Sequence, residues 1–220
     1  LDLAALRLSL ELAALTTLAL LVLGLPIAQW LTTTRWRWKV LVEAVVALPL
    51  VLPPTVLGFY LLVAFGARSP LGRAFVALTG RTLAFSFEGL LVASVLYSLP
   101  FAVQPFAAAL ARVDARLLEA SYSLGESRLR TFFRVSLPLA LPGVVAGAVL
   151  SFAHTLGEFG VVLMVGGNVP GATRTLSIAI FDAVEQLDYA AAGRTSLLLL
   201  ALSFLVLVVT YALQRRSLLS

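Results

Sequence analysis

The 220-residue chain has no cysteine and only one histidine (His154), one lysine (Lys39) and one methionine. It therefore cannot form a disulfide framework, an iron–sulfur cluster or a cysteine nucleophile. A lone histidine without cysteine does not furnish a usual catalytic metal site, so no metal site is expected. Charge is scarce as well: charged residues make up 12% of the chain, against about 25% in an ordinary soluble domain. Hydrophobic residues account for 60%, and mean hydropathy is +1.01. This composition excludes a water-soluble globule and points to one integral membrane domain over residues 1–220, with the lipid bilayer as its solvent. The net charge of +5 and the pI near 10.2 do not indicate a nucleic-acid partner, because the arginines lie scattered between apolar runs and form no basic stripe.

Five apolar runs can be read: Leu8 to Gln29, Val40 to Phe65, Leu83 to Leu110, Leu139 to Val165, and Ser196 to Leu213. None shows the alternation of a barrel strand, and backbone polar groups find no water in lipid, so the runs should be helices. The expected fold is all-α, a polytopic bundle of five transmembrane helices. The chain begins at Leu1, and its first apolar run lacks a small-residue cleavage site, so it reads as a span and not as a cleavable signal. With five spans, ten of the sixteen basic residues fall on the side of the C-terminus. That side is then cytoplasmic and the N-terminus external. Trp30, Trp36 and Trp38 flank the first cytoplasmic loop, at the depth where amphipathic rings favour the headgroup layer.

Inside the spans, Pro49, Pro53 and Pro54 remove backbone donors and should kink or break the second helix, with Gly58 adding local freedom. In the fourth run Gly143, Gly147, Ser151, His154 and Glu158 recur at helical spacing and form one narrow stripe of small and polar residues. Ionisable groups in a span are costly, so this face should look toward the bundle interior, a subunit interface or a pore. Pro49, Pro53, Pro54, Gly58, Ser151, His154 and Glu158 are therefore the candidate pore or gate positions. On these residues alone, an intramembrane enzyme using His154 and Glu158 as an acid–base pair stays open. Arg68, Arg73, Arg81 and Arg174 put positive charge on the external face and are candidate docking residues there.

The long polar segment 111–138 falls on the cytoplasmic side. Asp114 reads as an N-cap, and Val113, Leu117, Ala120 and Leu124 recur at spacings of one helix face. Gly125 should stop that helix at a left-handed position, and a second short helix can run from Ser127 to Pro138. Such an element is too short to stand alone and should bury its apolar stripe against the bundle or a partner protein.

Glu119-Ala120-Ser121, then Gly125, then Val135-Ser136-Leu137-Pro138 resembles the EAA loop of ABC importer permeases. Ser121 and Val135 stand where that pattern has alanine and isoleucine. Segments 48–58, 83–87 and 156–160 resemble the oxyanion branch of the family, and residues 168–175 are most similar to molybdate permeases, although His154 stands where relatives often carry arginine. The resemblance implies a type I ABC importer permease working as a homodimer. Two cytoplasmic ATPase subunits would grip the loop at Glu119, Ala120, Ser121, Gly125, Val135, Leu137 and Pro138. An external solute-binding protein would deliver molybdate or, alternatively, sulfate, thiosulfate or tungstate. The chain has no phosphate-binding loop of its own, so ATP and magnesium are expected in the partner ATPase and no cofactor or catalytic residue in this chain.

Overall fold

The computed structural model describes residues 2–217, and all regular secondary structure among them is helical. In order the elements are α1 (Leu3–Thr33), α2 (Lys39–Val51), α3 (Pro54–Phe65), α4 (Pro70–Thr79), α5 (Phe87–Ala111) and α6 (Ala115–Ser123). They continue with α7 (Arg128–Thr131), a π-helical turn (Phe132–Ser136), α8 (Leu137–Leu156), α9 (Gly160–Gly166), α10 (Leu176–Glu185) and α11 (Tyr189–Ser217). Residues 1 and 218–220 lie outside the described residues, and so does the chain end to which the sequence assigned a cytoplasmic position.

Among the described residues four helices are long and apolar enough to cross a bilayer unaided: Leu3–Thr33, Phe87–Ala111, Arg128–Leu156 and Tyr189–Val208. The expected second span is instead a broken one, with the chain bent by 111° between α2 and α3. Its cause is local. Leu52 and Pro53 each precede a proline and adopt extended backbone, with ψ of 135° and 136°, because a proline ring clashes with a helical residue before it. Pro54 then takes the first turn of α3, where a missing donor costs nothing.

The fourth run also differs from expectation. The helix ends at Leu156, not Val165, and α9 follows after a three-residue break. At its other end it does not begin at Leu139. The helix runs without interruption from Arg128, so the expected second short helix is the first part of this long one. A π-turn, in which the Leu137 N–H reaches the Phe132 carbonyl, passes through the site where Pro138 cannot donate.

The central packing joins α1, α5 and α8 around Leu20, Ala28, Val103, Phe106, Ala140 and Val144. Lipid tails are as apolar as leucine, so this contact depends on close approach. A Cβ on Gly147 would stand 2.7 Å from the Phe106 ring, and one on Gly143 2.4 Å from the Ala109 Cβ. A second cluster ties α3 to α9 and α5 through Phe65, Ala93, Val161 and Val165.

Candidate functional site

At one end of α5 and α8 the chain forms an elbow from α6 and α7. Asp114 caps α6 by accepting from the Arg116 N–H at 2.9 Å. Gly125 has φ of +81°. Its N–H reaches the Tyr122 carbonyl at 2.9 Å, and the Glu126 N–H reaches that of Ser121 at 3.2 Å, the paired bonds of a glycine-terminated helix. Inside the elbow the Ser121 hydroxyl bonds Thr131 at 2.9 Å, buried. The serine that departs from the family pattern thus pins the two arms together. Glu126 is held by Arg130 at 3.1 Å and Arg134 at 3.0 Å, a clamp that sequence reading passed over although Glu126 and Arg130 are one helical turn apart.

The outer surface of the elbow is open. Leu124 is 85% exposed and Leu129 69%, and Leu117, Tyr122 and Phe133 are exposed as well. Glu119 and Ala120 are exposed beside them, Val135 and Leu137 are half-buried, and Pro138 is exposed. Of the apolar stripe read along α6, Val113 alone packs on the bundle core while Leu117, Ala120 and Leu124 are exposed, and Leu137 alone of the pattern residues packs there with it.

The two breaks meet deeper in the structure. A Cβ on Gly160 would lie 2.8 Å from the Pro54 Cβ, and one on Gly58 2.7 Å from that of Met164. Gly58 lies within α3, so its role is close packing and not the local freedom expected for it. Pro49 lies in the last turn of α2. The half-helices α3 and α9 thus form a pair joined at the points where their spans are interrupted.

Beside that pair lies a polar cluster. Ser151, buried, donates to the Gly147 carbonyl. Glu158 sits past the end of α8, in the break, and not on the helix stripe as expected, yet it still meets His154, with Nδ1 3.4 Å from Oε1. Its side chain is fully buried. It accepts from Ser94 at 2.6 Å and from Ser98 at 2.7 Å. The imidazole stacks on Phe101, centroids 3.8 Å apart, with Tyr97 at 4.9 Å. Ser94 and Ser98 were missed in the sequence, where their only signal is a four-residue spacing inside an apolar run.

The four arginines do not act alike. Arg68, Arg73 and Arg81 are exposed, and Arg81 lines an 850 Å³ cleft with Arg7, Glu11, Glu88 and Phe85. Arg174 is bound within the chain, donating to Asn168 at 2.6 Å and lying 3.4 Å from Asp182. The segment 168–175 is likewise tied to itself: the Val169 N–H bonds the Thr173 hydroxyl, which donates to the Gly166 carbonyl.

Residues 16–218 match the family model described as "Binding-protein-dependent transport system inner membrane component". The chain is 55% identical over 214 residues to the molybdenum transport system permease protein ModB of Azotobacter vinelandii, covering 97% of this chain and 95% of that one. Identity to the ModB of Escherichia coli K12 is 38% over 214 residues, covering 97% and 93%. A probable sulfate transport system permease protein of Chlorokybus atmophyticus is 34% identical over 184 residues, covering 84% and 64%. Among solved structures the fold is similar to that of an inward-facing MetNI methionine ABC transporter, with TM-score 0.77, 21% identity and coverage of 98% and 95%. It is also similar to a bacterial ABC transporter involved in alginate import, with TM-score 0.79, 14% identity and coverage of 97% and 79%.

Proposed function

This chain belongs to the binding-protein-dependent transport system inner membrane components, and from that premise we propose that it is the permease subunit of an ABC importer for molybdate. The near full-length 55% identity to a permease named for molybdenum transport carries the cargo assignment. The lower identity to the probable sulfate permease makes sulfate the second reading, and the same comparisons favour transport over an intramembrane enzyme.

The exposed elbow supports the mechanism. An apolar surface built on Leu117, Tyr122, Leu124 and Leu129, with the exposed Glu119 carboxylate at its side, suits a groove on another protein. On this reading the elbow is cytoplasmic and docks on an ATPase subunit that binds ATP and magnesium. Two such subunits would act on a homodimer of this chain, whose two copies enclose the path. Charge placement supports a cytoplasmic elbow and an external N-terminus. The exposed Arg68, Arg73 and Arg81 are proposed to meet an external solute-binding protein. Closure of the ATPase pair would draw the elbows together and open the path outward, where the break at Pro53–Pro54 permits rearrangement.

The test is uptake by the assembled transporter in vesicles. Labelled molybdate should accumulate only with ATP on the ATPase side, and excess unlabelled molybdate should abolish the signal while excess sulfate leaves most of it. Equal competition by sulfate would move the cargo to the second reading.

A further inference from the structure

The buried carboxylate of Glu158 has no part in the reading above, yet it is fastened on two sides. Ser94 and Ser98 of α5 donate to its two oxygens, and Ser177, at the start of α10, donates to its backbone carbonyl. Ser98 is saturated. Its oxygen lies 2.7 Å from Glu158 Oε1, 2.9 Å from His154 Nδ1 and 2.9 Å from Thr155 Oγ1. A hydroxyl has one proton and two lone pairs, so donating to the carboxylate leaves it accepting from the imidazole Nδ1–H and from the threonine. One serine therefore holds the last turn of α8 and the residue in the break together on α5.

The position of this cluster in the chain gives it a use. Arg128–Leu156 is one uninterrupted helix, a rod of about 43 Å that begins in the elbow and ends two residues before Glu158. Directly beyond Glu158 comes α9, which is seated on α3 through Gly160 against Pro54 and Gly58 against Met164. Any displacement of the elbow carried along the rod reaches α9 through the break. An untethered break would absorb that displacement instead of passing it on.

We propose that Ser94, Ser98 and Glu158 are positioning residues of the transport cycle, a latch that makes movement of the rod displace the paired half-helices α9 and α3. The proposal rests on the importer reading. Since the chain has no cysteine, a single introduced thiol reports on its own position, and Tyr60 of α3 is 66% exposed. The experiment follows modification of Tyr60→Cys by a small membrane-permeant maleimide in the full complex, in lipid vesicles, with and without vanadate-trapped nucleotide; an unchanged rate in the latch-intact complex overturns the latch.

With the latch intact, trapping should change the modification rate. In Ser94→Ala/Ser98→Ala the change should vanish while ATP hydrolysis and assembly persist, and molybdate taken up per ATP should fall roughly tenfold or more, as for lost hydrogen bonds to a charged group. Ser98→Thr, which keeps a hydroxyl, should restore both. A nucleotide response that survives the double substitution overturns the latch. So does loss of the response together with loss of assembly, or its loss equally in Ser98→Thr. If the latch-intact complex itself takes up no molybdate, the importer reading fails, and the latch fails with it.

Discussion

Gly125→Val should lower uptake by roughly tenfold or more while the bundle stays folded, because a β-branched residue forced into left-handed backbone costs about 1–3 kcal/mol. The position isolates a backbone effect. A Cβ there would meet nothing within 4 Å, so crowding contributes nothing and the penalty comes from φ of +81°. Relief is available only by unwinding the paired bonds from Gly125 and Glu126, which turns Leu124 and the exposed face of α6 away from their present direction. Gly125→Asn is the control, since asparagine tolerates the left-handed region, and it should keep most of the uptake. Parallel measurement of uptake, ATP hydrolysis and thermal unfolding separates lost coupling from lost fold. Normal coupled uptake by the valine variant would show that the elbow geometry is not what transmits work.

Gly147→Ala should lower stability by about 1–3 kcal/mol, the range for overpacking a well-filled interior. The new Cβ would lie 2.7 Å and 2.9 Å from two atoms of the Phe106 ring and 3.1 Å from the Pro105 Cβ. Phe106 is fully buried between α1, α5 and α8 and has nowhere to swing, so the helices must separate. Gly193→Ala provides the contrast: it lies in α11, where a Cβ meets nothing within 4 Å, and alanine is favoured over glycine in a helix by about 0.5–1 kcal/mol. Thermal unfolding in one detergent should therefore show Gly147→Ala with a lowered Tm and Gly193→Ala with a Tm equal or higher. A reversed order would mean that α5 and α8 are not in the contact described.

The parts of this molecule written in local chemistry were legible in the sequence. The Asp114 cap, the left-handed Gly125 and the break at Pro53–Pro54 each follow from the conformational limits of one or two residues, and each occurs where those limits put it. Gly143 and Gly147 do lie on one face, as their spacing requires, and that face is a close helix contact.

What escaped depends on which elements meet. The end of α8 at Leu156 is unmarked by any strong stop beyond Gly157, and the apolar run continues across it into α9, so hydropathy sees a single span. Gly58 looks like a source of freedom until Met164 is found against it. Ser94 and Ser98 carry no signal as binding partners until the break brings Glu158 to them, 64 and 60 residues away in sequence. Arg174 likewise looked available for docking, and only the folded loop shows it turned onto Asn168 and Asp182.

The claim on which the account depends is that the elbow is the cytoplasmic seat of the ATPase. A single Leu124→Cys chain tests it directly, because Leu124 is 85% exposed and this chain carries no other thiol. A membrane-impermeant thiol reagent should leave this cysteine unmodified from outside intact cells and modify it in inverted vesicles stripped of the ATPase. Adding the ATPase back should protect it. Labelling from outside, or labelling that the ATPase leaves unchanged, would contradict the account.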